Sequence, residues 1–343
     1  MRPLHRLLSF ITCCYAIALL PLPAFAQKPE PQRPKLPAGF VAEYDVKYVP
    51  DGDAAQVLDI YYPEDKTAPR PLLVWIHGGG WSGGSKTGVP YLSQLANGYV
   101  VASIEYRFSK VAVFPAQIQD CQAAIRFLRA NADKYAIDPA KVGVGGASAG
   151  GHLAALVGTS GGKDAFPKIG GNDAQSDGVQ AVCDIYGPAN FWKVIAHAEA
   201  DKDVVYMYKW NQGDPYSRLI GGKLGSVDGS GDREKCDAVS PVHYVSKDNP
   251  PFLILHGDRD AQVPFAQSVE LAELLTKAGV EVTLQRLPGA GHGGPAFSLP
   301  AVNKLTKTFF DKHLKGVEAK IEALPAEEVT VKPMGEPVKA AKE

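Results

Sequence analysis

The chain has 343 residues, with 36 Lys and Arg against 37 Asp and Glu, a formal charge of −1, and 45% hydrophobic against 21% charged residues. So even a balance supplies neither the basic surface that displaces nucleic-acid counterions nor a polybasic membrane anchor, which excludes a nucleic-acid partner. The apolar content excludes disorder throughout, and the length suits one large α/β domain at least as well as two small ones, with a core that needs no staples.

The first 26 residues read as an export signal. Arg2 and Arg6 form a positive n-region, residues 7–20 are apolar, and Ala24-Phe25-Ala26 places small side chains where a signal peptidase cuts. The apolar run is short of the about 20 residues of a stable membrane span. Cleavage after Ala26 is expected, giving a secreted or periplasmic protein with no stable membrane insertion; an uncleaved anchor helix is the alternative. A lipoprotein fits less well, because Cys13 and Cys14 lie inside the apolar run without small residues before them. Cleavage removes two positive charges and no acid, taking the formal charge from −1 to −3. It leaves Cys121, Cys183 and Cys236, which predicts one disulfide plus a buried thiol, or three buried thiols. No CxxC occurs, so a zinc or redox site has no support and neither a metal nor an organic cofactor is expected.

Residues 27–41 are Pro-rich and polar, which predicts a mobile leader. Over 42–315 apolar runs alternate with amphipathic stretches. Residues 57–62 read as a strand, and Leu72-Leu73-Val74-Trp75-Ile76 as a strand buried on both faces. Residues 100–104 form another. Ile118, Cys121, Ile125 and Leu128 make the stripe of a helix laid on a sheet. Asp138-Pro139 opens a turn or helix, followed by a strand over 142–145 and a helix over 150–157. Strands at 179–186, 252–256 and 280–287 and helices at 268–278 and 301–313 complete the series. The alternation predicts an α/β fold with a mostly parallel sheet covered on both faces. An insertion over 189–237 breaks the rhythm. It carries Phe191, Trp192, Tyr206, Tyr208, Trp210 and Tyr216 and a Gly-rich stretch at 221–231, the composition of a functional loop or lid. Residues 316–343 are of low complexity. A helical turn or two near 318–324 is expected, with Pro325, Pro333 and Pro337 leaving the rest disordered.

Four loop motifs carry chemistry. Gly146-Ala147-Ser148-Ala149-Gly150 sits between a strand and a helix, where a sharp turn exposing Ser148 leaves no room for neighbouring Cβ atoms. The helix that follows points unpaired N–H groups at the place where an oxyanion would form. Two nucleotide motifs fail: after Gly143-Val144-Gly145 the third glycine position holds Ser148, and in 80–87 Ser85 stands where a P-loop needs glycine. His77-Gly78-Gly79-Gly80-Trp81 follows a buried strand, and its glycines let backbone amides approach a substrate oxygen. His256-Gly257-Asp258-Arg259-Asp260 ends a late strand, where a carboxylate is able to hold an imidazole. Asp260 is preferred to Asp258, which lies in the tight turn where Asp bonds its own backbone. Gly289-Ala290-Gly291-His292-Gly293-Gly294 follows the last strand. Single histidines are more often structural, and His152, His197, His243, His256 and His313 are read so. His292 differs because Ser148, Asp260 and His292 fall in the chain order that one sheet edge imposes.

With these motifs the chain resembles an α/β-hydrolase over 42–314, and more narrowly the exported esterase/lipase branch with HGGGW, GxSAGG and HGDxDxxVP. Within that branch it is most similar to bacterial bifunctional carbohydrate and feruloyl esterases, which deacylate plant polysaccharides. Supporting stretches are Glu105-Tyr106-Arg107, Phe114-Pro115-Ala116 and Ile137-Asp138-Pro139. The resemblance implies Ser148 as nucleophile, His292 as base and Asp260 as its orienter. It implies oxyanion amides at Gly79, Gly80 and Ala149, with Trp81 able to replace one glycine. Trp81 is also a candidate substrate-binding residue, forming with the insertion's aromatics a wall for a phenolic acyl group or sugar ring; those aromatics are equally well read as the insertion's own core. The implied activity is a serine carboxylesterase acting on short acyl or feruloyl esters of carbohydrates. An amide hydrolase of kynurenine formamidase-like or peptidase-like kind is the enzymatic alternative, and a non-catalytic binding protein the other. The resemblance does not extend clearly through 189–237, which leaves acyl preference open.

Overall fold

The computed structural model describes residues 33–330, so the expected signal segment with its cleavage after Ala26 lies outside the described residues, as does 331–343. Eight strands form one sheet: β1 (Phe40–Lys47), β2 (Val57–Pro63), β3 (Arg70–Ile76), β4 (Val100–Ile104), β5 (Ile137–Ala147), β6 (Ala181–Ile185), β7 (Phe252–Gly257) and β8 (Val282–Leu287). Their spatial order is β1-β2-β4-β3-β5-β6-β7-β8. β1 and β2 are antiparallel to their neighbours, and the strands from β4 to β8 pair in parallel. Leu72, Val74 and Ile76 of β3 enter one core while Leu73 and Trp75 enter the other, which is why that strand reads as an unbroken apolar run.

Helices cover both faces. They are α1 (Ala116–Ala130), α2 (Ala132–Tyr135), α3 (Ala149–Ser160), α4 (Val194–Ala200), α5 (Pro215–Ile220), α6 (Arg233–Val239), α7 (Ala266–Lys277), α8 (Pro300–Lys315) and α9 (Ala326–Val329). The first core takes Ile118, Cys121, Ile125 and Leu128 of α1, with Leu153 of α3 and Leu271 of α7. The second takes Phe309, Phe310 and Leu314 of α8. From β3 the chain goes to β4 on one side, and β5 then lies on the other. The two connections splay apart and open a crevice beyond the carboxyl ends of β3 and β5, the place where such sheets bind ligands.

Three expectations change. β1 begins inside the stretch read as leader: Phe40, Ala42 and Tyr44 rest on the second core and Val41 and Val46 on the first, with an irregularity where Asp45 takes φ 55°. The tail stays ordered through 330. Ile321 and Leu324 pack on the second core, the Leu324 N–H donates to Gln285 Oε1 at 2.5 Å, and Val329 is buried. The single helical turn there follows Pro325 instead of occupying 318–324. Cys121, Cys183 and Cys236 are buried, unpaired thiols on α1, β6 and α6, the second of the two arrangements expected for them. The insertion is not a bare loop: it folds into α4, α5 and α6, anchored in the first core by Phe191, Tyr216, Leu219 and Leu224.

Candidate active site

Ser148 occupies the one-residue hinge between β5 and α3, with φ 57° and ψ −121°. Its N–H donates to Ile185 O at 2.8 Å, fixing the turn to the end of β6. The flanking glycines are required sterically. A Cβ at Gly146 would lie 2.3 Å from Gly150 O, and one at Gly150 would lie 2.1 Å from Ile76 O. A non-glycine residue in this backbone region costs about 1–3 kcal/mol. Ser148→Gly, which also removes the nucleophile, is therefore expected to raise Tm by a few degrees, as read by a thermal melt; an unchanged or lower Tm would show that the hinge stores no strain.

His292, after β8, brings its ring to the serine. Nε2 is 2.8 Å from Ser148 Oγ, and Nδ1 is 2.7 Å from Asp260 Oδ2. These partners assign the proton to Nδ1 and leave Nε2 to accept the hydroxyl. Asp260 is buried after β7, and its Oδ1 accepts the N–H groups of Gln262 at 2.8 Å and Val263 at 2.9 Å. Burial pushes its pKa up, but hydrogen bonds from His256 and His292 outweigh that and hold it well below the usual carboxylate range. Asp258 faces elsewhere, binding Arg286 Nε and the Gly289 N–H at 2.7 Å each. His256, read from the sequence as structural, is a second imidazole on the same carboxylate. Its Nε2 is 3.2 Å from Asp260 Oδ2 and its Nδ1 is 2.7 Å from Ser268 Oγ. Its place four residues before Asp260, on the strand that delivers that carboxylate, was the available signal. The Tyr186 ring lies 4.6 Å from that of His292 and limits where the imidazole swings; burial, with the Asp260 charge adding to it, pushes the phenol up to about 12.

The loop after β3 forms the opposite wall. Gly79 has φ 114°, and a Cβ there would lie 2.2 Å from Gly83 O, so only glycine fits. Among the described residues, the amides of Gly79 and Gly80 donate to no protein acceptor. The Ala149 amide opens α3, where helix geometry provides no acceptor. The loop is braced from below. His77 stacks on Tyr106 with centroids 4.5 Å apart, and its Nε2 is 2.7 Å from Glu105 Oε1.

Trp81 does not face substrate. It is 2% exposed, with its indole packed against His152, Phe191 and Tyr216. Its Nε1–H donates to His152 Nδ1 at 3.2 Å, and His152 Nε2–H donates to Val239 O at 2.8 Å. Burial lowers the His152 pKa to about 4 against the opposing bond to Val239, which keeps the ring in the neutral form those two bonds need. The aromatic wall expected from the insertion is largely its core: Phe191 and Tyr216 are buried and Trp210 packs on Tyr216, while Tyr208 reaches the pocket. The pocket, about 570 Å³, is lined by Gly78, Gly79, Gly80, Ser82, Ser148, His292, Tyr186, Tyr208, Pro215, Arg218 and Gln262.

One buried acid lies beside the hinge, paired across the sheet with Gly146. Asp184 Oδ1, on β6, accepts the Gly187 N–H at 2.8 Å, and burial, opposed by that bond, pushes its pKa up to about 7. With its folded pKa above its unfolded value near 4, the folded chain holds a proton that the unfolded chain has lost between about pH 4 and 7, so stability falls as pH rises through that window. Asp184→Asn is accordingly expected to gain Tm over the parent as pH rises from about 4 to 7, with a plateau above. Melts at pH 4, 6 and 8 check this; a pH-independent difference would mean the acid is not protonated in the fold.

A strained serine between strand and helix, an imidazole and a carboxylate in line, and unpaired amides across a crevice define an α/β-hydrolase. A family model described as BD-FAE matches residues 58–275, and the chain belongs to that family. It is 35% identical over 248 residues to Esterase LipC of Mycobacterium tuberculosis, covering 70% of this chain and 57% of the relative. It is 32% identical to Esterase LipQ of the same organism, over 75% of this chain and 58% of that one. The chain thus spans little more than half the length of these curated relatives. Among solved structures, a truncated carbohydrate esterase from gut microbiota aligns with TM-score 0.69 and 32% identity, over 80% of this chain and 96% of the other. Thermogutta terrifontis esterase 2 phosphonylated by sarin aligns with TM-score 0.61 and 27% identity, over 81% and 96%.

Proposed function

We propose that the chain is a serine carboxylesterase that removes short acyl groups from carbohydrates. The observation that carries this reading is the continuous line from Ser148 Oγ through His292 to Asp260, at 2.8 Å and 2.7 Å. His292 takes the hydroxyl proton as Ser148 attacks the ester carbonyl, and Asp260 stabilises the imidazolium. The amides of Gly79, Gly80 and Ala149 hold the oxyanion. His292 then protonates the departing alcohol, and water repeats the sequence on the acyl-serine. The polar lining from Ser82, Tyr208, Arg218 and Gln262 suits a hydroxyl-rich alcohol better than a long acyl chain, and the carbohydrate esterase neighbour points the same way. Feruloyl esters are a second reading, favoured by Tyr186 and Tyr208 in the lining.

Rates on acetylated xylan, methyl ferulate, 4-nitrophenyl esters of rising chain length and 4-nitroacetanilide test the assignment. Faster cleavage of long-chain esters, or of the anilide over the ester, would overturn it. Gly79→Ala is expected to lower kcat on the best ester by about 10²–10³-fold, because its Cβ would meet Gly83 O and shift the loop, carrying the Gly79 and Gly80 amides off the oxyanion. We also propose export, on the basis of the N-terminal 26 residues; intact mass of the protein recovered outside the cytoplasm should place its N-terminus at Gln27.

A further inference from the structure

We propose that Arg218 forms an anion-recognising subsite in this pocket, so that the preferred esters carry a carboxylate near the scissile bond; this deepens the esterase reading and rests on it. Arg218 lines the same pocket as Ser148 and His292, and no Asp or Glu is among the residues that line it. The other described arginines are engaged, as Arg107 with Asp120, Arg286 with Asp258, or Arg70 over the Phe40 ring. Arg218 makes no side-chain hydrogen bond, ion pair or ring contact among the described residues.

Its placement is fixed rather than incidental. Asp214 caps α5 by accepting the Ser217 N–H at 2.9 Å, and Tyr216, Leu219 and Ile220 bury the opposite side of this short helix in the core. The helix start abuts the oxyanion loop, since a Cβ on Gly80 would lie 3.2 Å from Pro215 Cβ. The carboxylates of Asp214, on the same helix, and of Asp260, in the site, are already occupied. Asp214 Oδ2 takes the Asn211 N–H at 2.8 Å and the Ser217 hydroxyl at 2.7 Å, and Asp260 is saturated by two amides and two imidazoles.

A guanidinium carried on a fixed helix, with neither a side-chain partner nor a counter-charge among the described residues, matches a planar carboxylate in two-point contact. Such a carboxylate has two sources: the alcohol side, as in an acylated uronic acid, or the acyl side, as in a dicarboxylic hemiester.

Paired substrates distinguish the two. On the alcohol side, acetylated glucuronic acid is compared with acetylated glucuronamide; on the acyl side, 4-nitrophenyl hemisuccinate with 4-nitrophenyl succinamate. The ratio of kcat/KM, anionic over neutral, is measured at low salt for the parent, Arg218→Gln and Arg218→Lys. In one arm the parent should favour the acid, and the ratio should fall about fivefold in Arg218→Gln, through KM, with partial recovery in Arg218→Lys and attenuation by salt. A ratio that moves less than twofold in both arms would overturn the proposal. Calorimetric binding of glucuronate and monomethyl succinate to Ser148→Ala, with and without Arg218→Gln, separates this from the parent reading. Arg218-dependent binding without turnover of any ester would keep the subsite and remove the esterase assignment. Equal binding by both proteins would remove the subsite alone.

Discussion

Ser148→Ala is expected to lower kcat/KM on 4-nitrophenyl acetate by about 10⁴-fold or more, with Tm within a few degrees of the parent. The size follows from the division of labour in the site. Without the hydroxyl there is no acyl-enzyme, and the amides of Gly79, Gly80 and Ala149 are left to assist direct attack by water, which explains why activity falls to a residue and not to zero. The fold is indifferent because the features that build the hinge, the Ser148 N–H to Ile185 O bond and the absence of Cβ atoms at Gly146 and Gly150, survive the change. A variant that keeps a tenth of the parental rate would place the nucleophile elsewhere.

Asp260→Asn should cost nearly as much, about 10³–10⁴-fold in kcat, for a different reason. Two backbone N–H groups converge on Oδ1, so the carbonyl oxygen of an asparagine is held there and its NH₂ is turned toward His292. That donor forces Nδ1 to accept, moves the ring proton to Nε2 and aims it at Ser148 Oγ, where a proton acceptor is needed. KM should change little, since no substrate contact is lost. Some loss of Tm is also expected, because His256 Nε2 loses its charged partner. A loss of less than tenfold in kcat would mean that the carboxylate does not govern the tautomer.

Much of this site was legible because its parts lie at strand ends, where glycine and the reactive side chain sit side by side in sequence. The unbroken run of β3, buried on both faces, and the hinge glycines around Ser148 have few other readings. Direction was not legible. Trp81 follows the oxyanion glycines, and nothing in its neighbours reveals that its positive φ turns the indole inward onto His152. The insertion's aromatics mark a packed cluster, but which of them meets the pocket depends on the three short helices. β1 escaped notice because Glu43 and Asp45 interrupt a half-buried strand beside a Pro-rich stretch. The described part of the tail is held by Gln285, whose long-range pairing with Leu324 leaves no local trace. His256 reads as one histidine among several, and its spacing of four from Asp260 gains meaning only once the contact between them is seen.

The central claim is that one hydroxyl, Ser148, is made nucleophilic. Stoichiometric inactivation with a fluorophosphonate, followed by trypsin and mass mapping, tests it most directly, because cleavage after Lys141 and Lys163 isolates residues 142–163. A single adduct on Ser148, absent from Ser148→Ala and slowed in Asp260→Asn, is the predicted result. Undiminished labelling of Ser148→Ala, or an adduct on another peptide, would contradict it.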